Sequence, residues 1–180
     1  RSENLLLDRA VAPSRLDEVW VGDITYLPMS GGGWLYLATW MDAHSRKIVG
    51  WHQSDSLDAA IALRSLQKAV RRRRPPAGLI VHTDGGGQYM ARAFRQTLQK
   101  LGFRQSMTRP ENHYDNALAE SFFSRLKAEM LPKGRTFDDL EQANAAIFEY
   151  IEAYYTSVRR HSALGHLSPD QFERSAVENK

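Results

Sequence analysis

Three acidic residues, Asp23, Asp84 and Glu120, carry the chemistry legible in this chain. Asp84 closes an apolar run, Leu79 to Val81, and is followed by three glycines, Gly85 to Gly87. A strand tip opening into a loop has this pattern, which predicts a carboxylate at a sheet's edge, facing solvent. Thirty-five residues further on, Glu120 lies where Leu118, Phe122, Leu126 and Met130 recur every four positions, the spacing of a helix face. Asp23 stands between Trp20-Val-Gly and Ile-Thr-Tyr26, a β-branched and aromatic stretch that predicts a strand with a charge embedded in it. Taken singly, Asp84 is a turn residue and Glu120 an exposed helix glutamate. Gathered together they repel and raise each other's pKa, so convergence needs a counter-charge. Mg²⁺ supplies one: it takes a few carboxylate oxygens, keeps several waters and leaves positions for substrate phosphates. Asp23, Asp84 and Glu120 are therefore the candidate metal-binding and catalytic set.

Several blocks around these acids resemble a known family. Asp23-Ile-Thr, the Thr83-Asp84-Gly85 turn, the thirty-five-residue gap and Glu120-Ser-Phe-Phe are similar to the DDE catalytic core of bacterial insertion-sequence transposases of the IS3 family, relatives of retroviral integrases. Gly33-Trp-Leu-Tyr-Leu-Ala, the Asp42 to Trp51 stretch, Tyr114-Asp-Asn-Ala117 and the Arg160 to Pro169 stretch resemble further family blocks in the same order, from about Val19 to Phe172. The resemblance implies an α/β, ribonuclease-H-like fold: a mixed five-stranded sheet, an antiparallel meander plus parallel strands, covered by helices on both faces. It also implies Mg²⁺-dependent DNA cleavage and strand transfer, with Mn²⁺ able to substitute and with two ions bridged by Asp23, Asp84 and Glu120. The implied partner is DNA, both insertion-sequence ends and target, bound by a homodimer or higher assembly. The implied setting is the bacterial cytoplasm, at the nucleoid. Many family members carry Arg and Ser where this chain has Gly85 and Gly87, which leaves the acids intact but removes an arginine from that loop. Two other readings remain open: a non-catalytic DNA-binding module of the same descent, and a structure-selective nuclease that cleaves without joining.

Composition sets the bounds. One hundred and eighty residues with 42% hydrophobic content suit one domain with a sizeable core. The expected division is a lead-in over 1–17, a catalytic core over 18–175 and a tail over 176–180. The net charge is only +3, with a pI of about 9.3, so charge alone is a weak sign of nucleic acid. The absence of cysteine excludes disulfides and thiolate metal sites. No apolar run approaches the roughly 20 residues that span a bilayer, and a soluble, intracellular chain is expected. The chain opens at Arg1, and the upstream helix-turn-helix usual in the family is not visible in it.

The elements expected to position the acids follow from local pattern. Strands near Val19 to Leu27, Trp34 to Asp42 and Lys47 to Gln53, joined by short turns, predict the meander. A helix over Leu57 to Arg74, with Ala59, Leu63, Leu66 and Val70 on its inner face, stops at Pro75-Pro76. After the strand leading to Asp84, a helix over Met90 to Leu101 ends at Gly102, and a fifth strand spans Phe103 to Met107. Asp115-Asn116 is expected to cap the Glu120 helix. Thr136 to Asp139 is read as a capping box for a last long helix burying Leu140, Ile147, Ile151 and Tyr154.

Residues sharing the face of Glu120 include Asn116 and Lys127, and Lys127 is expected to touch a DNA phosphate. Arg159, Arg160 and His161 are expected either to bind nucleic acid or to pack the helix. Arg71 to Arg74 offset a helix dipole. His82, two residues before Asp84, is a candidate to support the acid, though a lone strand histidine is more often structural. Asp42 is read as structural.

Overall fold

The computed structural model describes residues 2–6, 13–109, 117–131 and 136–178. Five strands form one sheet: β1 (Val19–Pro28), β2 (Trp34–Asp42), β3 (Ile48–Ser54), β4 (Ile80–Thr83) and β5 (Arg104–Met107). Their order is β3-β2-β1-β4-β5, antiparallel across the first three and parallel across β1, β4 and β5. The mixed sheet is the expected one. Its meander arises because short turns can only join antiparallel neighbours, whereas helical crossovers deliver β4 and β5.

The helices are α1 (Ala59–Arg73), α2 (Gly87–Met90), α3 (Arg92–Leu101), α4 (Ala117–Met130), α5 (Leu140–Phe148) and α6 (Pro169–Glu178). Among the described residues no helix is long and apolar enough to cross a membrane. One sheet face is covered by α1 and α3, with Trp20, Trp40, Leu66, Phe94 and Leu98 in its core; the other is covered by α4 and α5, with Leu27, Leu37, Phe122, Leu126 and Ile147.

Four local expectations are corrected. The inner face of α1 is Ile61, Ala62, Ser65, Leu66 and Ala69 rather than Ala59, Leu63, Leu66 and Val70. Close approach decides this: a Cβ on Gly50 would lie 2.6 Å from the Ala69 backbone nitrogen, and Ser65 accepts the Trp40 indole N–H at 2.9 Å, so small residues line the contact. The single helix expected from Met90 is broken at Ala91, whose ψ of 140° is extended, giving α2 and α3. The expected C-cap does hold, with Gly102 in the left-handed region at φ 68°.

The capping box sits three residues later than read. Asp139, not Thr136, is the N-cap, accepting from Gln142 N at 2.8 Å, while the Gln142 side chain accepts from Asp138 N at 2.7 Å. Leu140 is thereby the first helical residue and is 55% exposed. Beyond α5 the chain continues as a π-helical segment, Glu149–Tyr155, in which Thr156 N–H donates five residues back to Ile151 O at 3.2 Å. The added residue per turn shifts the apolar face, so Tyr155 is buried in place of Tyr154.

The basic run does close α1, with Arg71, Arg72 and Arg73 in its last turn, and two of these arginines are also paired. Arg73 binds Glu173 at 2.7 Å and Asp17 at 3.0 Å, and Arg72 binds Glu152 at 3.0 Å. Glu173 also accepts from Ser45 Oγ at 2.8 Å and pairs with Lys47 at 3.3 Å, which ties α6 to α1 and to the β2–β3 turn.

Gly22, next to Asp23, leaves room for the Trp40 ring, against which any Cβ would clash. Trp40 stacks on Phe94 at 6.0 Å between centroids. Gly22→Ala is expected to cost about 1–3 kcal/mol through overpacking, read as a lowered urea midpoint; an unchanged midpoint would show that Trp40 does not lean on this position.

Candidate active site

The parallel pairing of β1 with β4 runs from Val19↔Ile80 to Gly22↔Thr83 and stops there. The next residue on each strand is an aspartate, Asp23 and Asp84. Neighbouring strands lie about 4.8 Å apart, so two carboxylates leave the ladder side by side. Both line one cavity of about 190 Å³, together with Tyr26, Tyr36, Gln88 and Tyr89.

Each carboxylate is oriented by its own backbone. Asp23 Oδ1 accepts from Ile24 N at 2.8 Å, and Asp84 Oδ1 accepts from Gly86 N at 2.9 Å, closing an Asx turn. A Cβ on Gly86 would lie 2.9 Å from Asp84 Oδ1 and 3.1 Å from Gln88 Oε1, so a bare backbone keeps the acid uncrowded.

Glu120 comes from the first turn of α4. Its neighbour Ala119 is buried against Val19, Val21 and Ile80, which anchors that turn on the sheet beneath the two aspartates, while Glu120 itself is exposed. Burial, followed by the charges of Asp84 and Glu120, raises the Asp23 carboxyl to about 7 even though the Ile24 N–H lowers it. The three acids thus share one electrostatic neighbourhood. They do not close into a ligand set: among the described residues, no three His, Asp or Glu groups are placed to hold one metal ion. Mutually repelling carboxylates, offering only hard oxygen donors, are nonetheless a donor set that suits Mg²⁺.

Other expected residues are placed as follows. Lys127 lies with its Nζ 4.6 Å from the centre of the Tyr26 ring, and burial lowers its pKa. Tyr26 and Trp34 meet edge to face at 4.9 Å and are both about half exposed, making an aromatic patch that adjoins the cavity through Tyr26. Arg159 forks onto Glu129 at 3.0 and 3.2 Å. Arg160 is exposed. Asn116 and Asp115 lie outside the described residues. His82 is fully buried and contacts Ser106 Oγ at 2.8 Å through Nδ1, which places it in the sheet interior. Asp42, also fully buried, is raised by burial but accepts from the backbone N–H groups of Asp17, His44 and Ser45 at 2.6 to 2.9 Å. It is structural, as read.

Sequence reasoning missed Tyr89. Its hydroxyl is buried without a hydrogen-bond partner among the described residues, and burial, then the charges of Asp23 and Asp84, push the phenol well up. The available signal was an aromatic directly behind the glycine run, on the first helical turn after an acid.

Comparison with solved structures defines the class. The fold is similar to a chain of the simian T-cell lymphotropic virus intasome in complex with PP2A regulatory subunit B56 gamma, with a TM-score of 0.70, 18% identity and coverage of 96% of this chain and 58% of that one. It is likewise similar to the HTLV-2 integrase catalytic core domain in complex with magnesium, with a TM-score of 0.65, 15% identity and coverage of 91% and 99%. This is the ribonuclease-H-like fold of integrase cores. At sequence level the integrase core domain family matches residues 13–113 and 120–176. The chain belongs to that family, and its relatives are transposases of IS3-type elements. It is 42% identical to the transposase for insertion sequence element IS904 of Lactococcus lactis subsp. lactis (strain IL1403), over 92% of this chain and 64% of the relative. It is 45% identical to transposase InsF for insertion sequence IS3A of Escherichia coli (strain K12), over 96% and 59%. The chain therefore spans about three-fifths of the length of these curated relatives.

The raised Asp23 carboxyl has a measurable consequence. Folding holds its proton more tightly than the unfolded chain does, so stability falls as pH rises from the ordinary value of 3.8 towards 7. In metal-free buffer at pH 8, Asp23→Asn is expected to melt at least about 3 °C above the parent, with the difference vanishing near pH 3.5. Added Mg²⁺ should raise the parent and not the variant. Equal melting temperatures across that range would remove Asp23 from the acid cluster.

Proposed function

We propose that this chain is the catalytic core of an insertion-sequence transposase that cleaves DNA and joins the freed 3′ end to a target, with Asp23, Asp84 and Glu120 as its metal-binding and catalytic residues. The observation carrying this reading is that β1 and β4 stop pairing one residue before an aspartate on each strand, with Glu120 acting on Asp23 from α4. Mg²⁺, or Mn²⁺ in its place, would be held by the three carboxylates and would supply charge neutralisation and Lewis-acid polarisation at the scissile phosphate.

The residues themselves do the rest. Asp84 and Asp23, each pinned by a backbone N–H, present their free oxygens to the same cleft. The glycines after Asp84 let a DNA strand come close to the backbone. Lys127 offers an ammonium at the cavity mouth to a phosphate, and Tyr26 with Trp34 offers faces on which a base can stack. In the reaction, a water and then a DNA 3′-hydroxyl forms the new phosphorus–oxygen bond as the old one breaks and its oxygen leaves. No protein group becomes bonded to DNA. Two DNA ends imply at least two copies of the chain in the working assembly, acting in the cytoplasm. Asn116 and Arg160 are proposed further DNA contacts.

The test joins a binding measurement to an activity. Calorimetric titration of the chain with Mg²⁺ should give a saturable signal lost in Asp84→Asn and Glu120→Gln. Joining of terminal-repeat DNA to a target duplex should fall at least about 100-fold in either variant, several kcal/mol of lost charge stabilisation. Amide variants that bind Mg²⁺ and join strands normally would overturn the assignment. Cleavage without joined products would make the chain a nuclease, and Mg²⁺ binding without nicking a non-catalytic module.

A further inference from the structure

On the α4 side of the sheet, a second cavity has the opposite chemistry. It encloses about 170 Å³ between α4, the β2–β3 turn and the segment after the π helix. Its polar lining is Arg46, Ser121, Arg125, Tyr155, His161 and Ser162, and no carboxylate lines it among the described residues.

Two of these groups bring a buried atom with no partner among the described residues: Arg46 Nη1, on a half-buried side chain, and His161 Nε2, on a ring only 9% exposed. An orphaned buried donor costs about 1–3 kcal/mol, and more when it is charged. Nearby cations are treated differently: Arg159, Arg72 and Arg73 are all paired with acids, whereas neither Arg46 nor Arg125 has an ion pair among the described residues. Arg46 is also a non-glycine residue held at φ 62°, with its N–H bonded to Asp42 O at 2.8 Å. The turn thus tolerates a left-handed arginine while aiming its guanidinium inward.

We infer that this pocket binds a single phosphate-class oxyanion, with Arg46, Arg125, Ser121, Ser162 and His161 Nε2 as the donors. A water could satisfy the hydrogen bonds but would leave Arg46 with only the charge of buried Asp42 acting on it and no directly paired anion among the described residues; a bound anion answers both. The donors come from three chain segments, and a tetrahedral oxyanion offers such a set more acceptor directions than a planar carboxylate. The volume exceeds the roughly 30 Å³ share of one water, leaving room for such a group. Burial, with Arg159, Arg125 and Arg46 around it, lowers His161 to about 4. Its ring is therefore neutral near pH 7, free to donate through Nε2, and the two guanidiniums carry the charge. Because Ser121 follows Glu120 on α4, the pocket lies one helix face from the acid cluster. The anion is either a backbone phosphodiester of bound nucleic acid or a free phosphate, and the site does not depend on the acids performing strand transfer.

The experiment follows the His161 imidazole resonances of the whole chain during titration with inorganic phosphate, with sodium chloride holding ionic strength constant. A saturable shift is expected, with affinity at least about tenfold weaker in Arg125→Gln, the loss of a charged hydrogen bond. Arg125 is exposed, so the variant keeps the fold, which its thermal melt verifies. A short DNA duplex that displaces phosphate and reproduces the shift identifies the source as nucleic-acid backbone; failure to compete identifies a small-anion site, and either supports the inference. No saturable shift in the parent, or an undiminished one in Arg125→Gln, overturns it.

Discussion

The structure depends on where one ladder stops. β1 is paired antiparallel to β2 along its whole length but parallel to β4 over only Val19 to Gly22. Past Gly22 its edge on the β4 side is open, and Asp23 and Asp84 emerge there together. A longer β4 would bury both acids in the sheet, where unpaired charge is expensive. A register slip of one residue would send one carboxylate to the other face. Gly22 and Trp40 therefore act on the chemistry through packing: the indole fills the space beside Gly22 and fixes the register one residue before Asp23.

α4 then sorts charge between two of its faces. Glu120 belongs to the acid cluster, while Ser121 and Arg125 face the basic pocket with Arg46 and His161. Ala119, Phe122 and Leu126 are buried against the sheet and hold both faces in place. An acidic cluster and a basic pocket thus lie on adjoining faces of one helix. The buried network of Arg73, Glu173, Asp17 and Lys47 has a separate task. Each partner there is satisfied within the protein, so it joins α6 and α1 to the β2–β3 turn, and Arg46 projects from that turn.

Much of this was legible residue by residue. The meander follows from alternation and short turns, Gly102 from its place after an apolar helix, and Asp23, Asp84 and Glu120 from charges set among apolar neighbours. Three features resisted. The inner face of α1 follows from Gly50 and Trp40 on other strands, which admit only Ala62, Ser65 and Ala69 at close range. The π segment displaces Tyr154 by Tyr155 because one turn bonds five residues back, and no local propensity announces that. The contact of Lys127 with Tyr26 joins residues about one hundred positions apart, which no helix-face pattern announces.

The sequence by itself determined which residues had to be carboxylates on strand ends and a helix, and which family's order of blocks they followed. Those signals are local, set by periods of two and 3.6 residues and by the turn chemistry of glycine and proline. Only the tertiary structure decided that the β1–β4 pairing ends one rung before both aspartates, that Tyr89 lies unpartnered beside them, and that Arg46, Arg125 and His161 close one pocket. The physical reason is that each of these facts joins chain segments far apart in sequence, and their juxtaposition is set by how helices and strands pack rather than by what any one segment prefers.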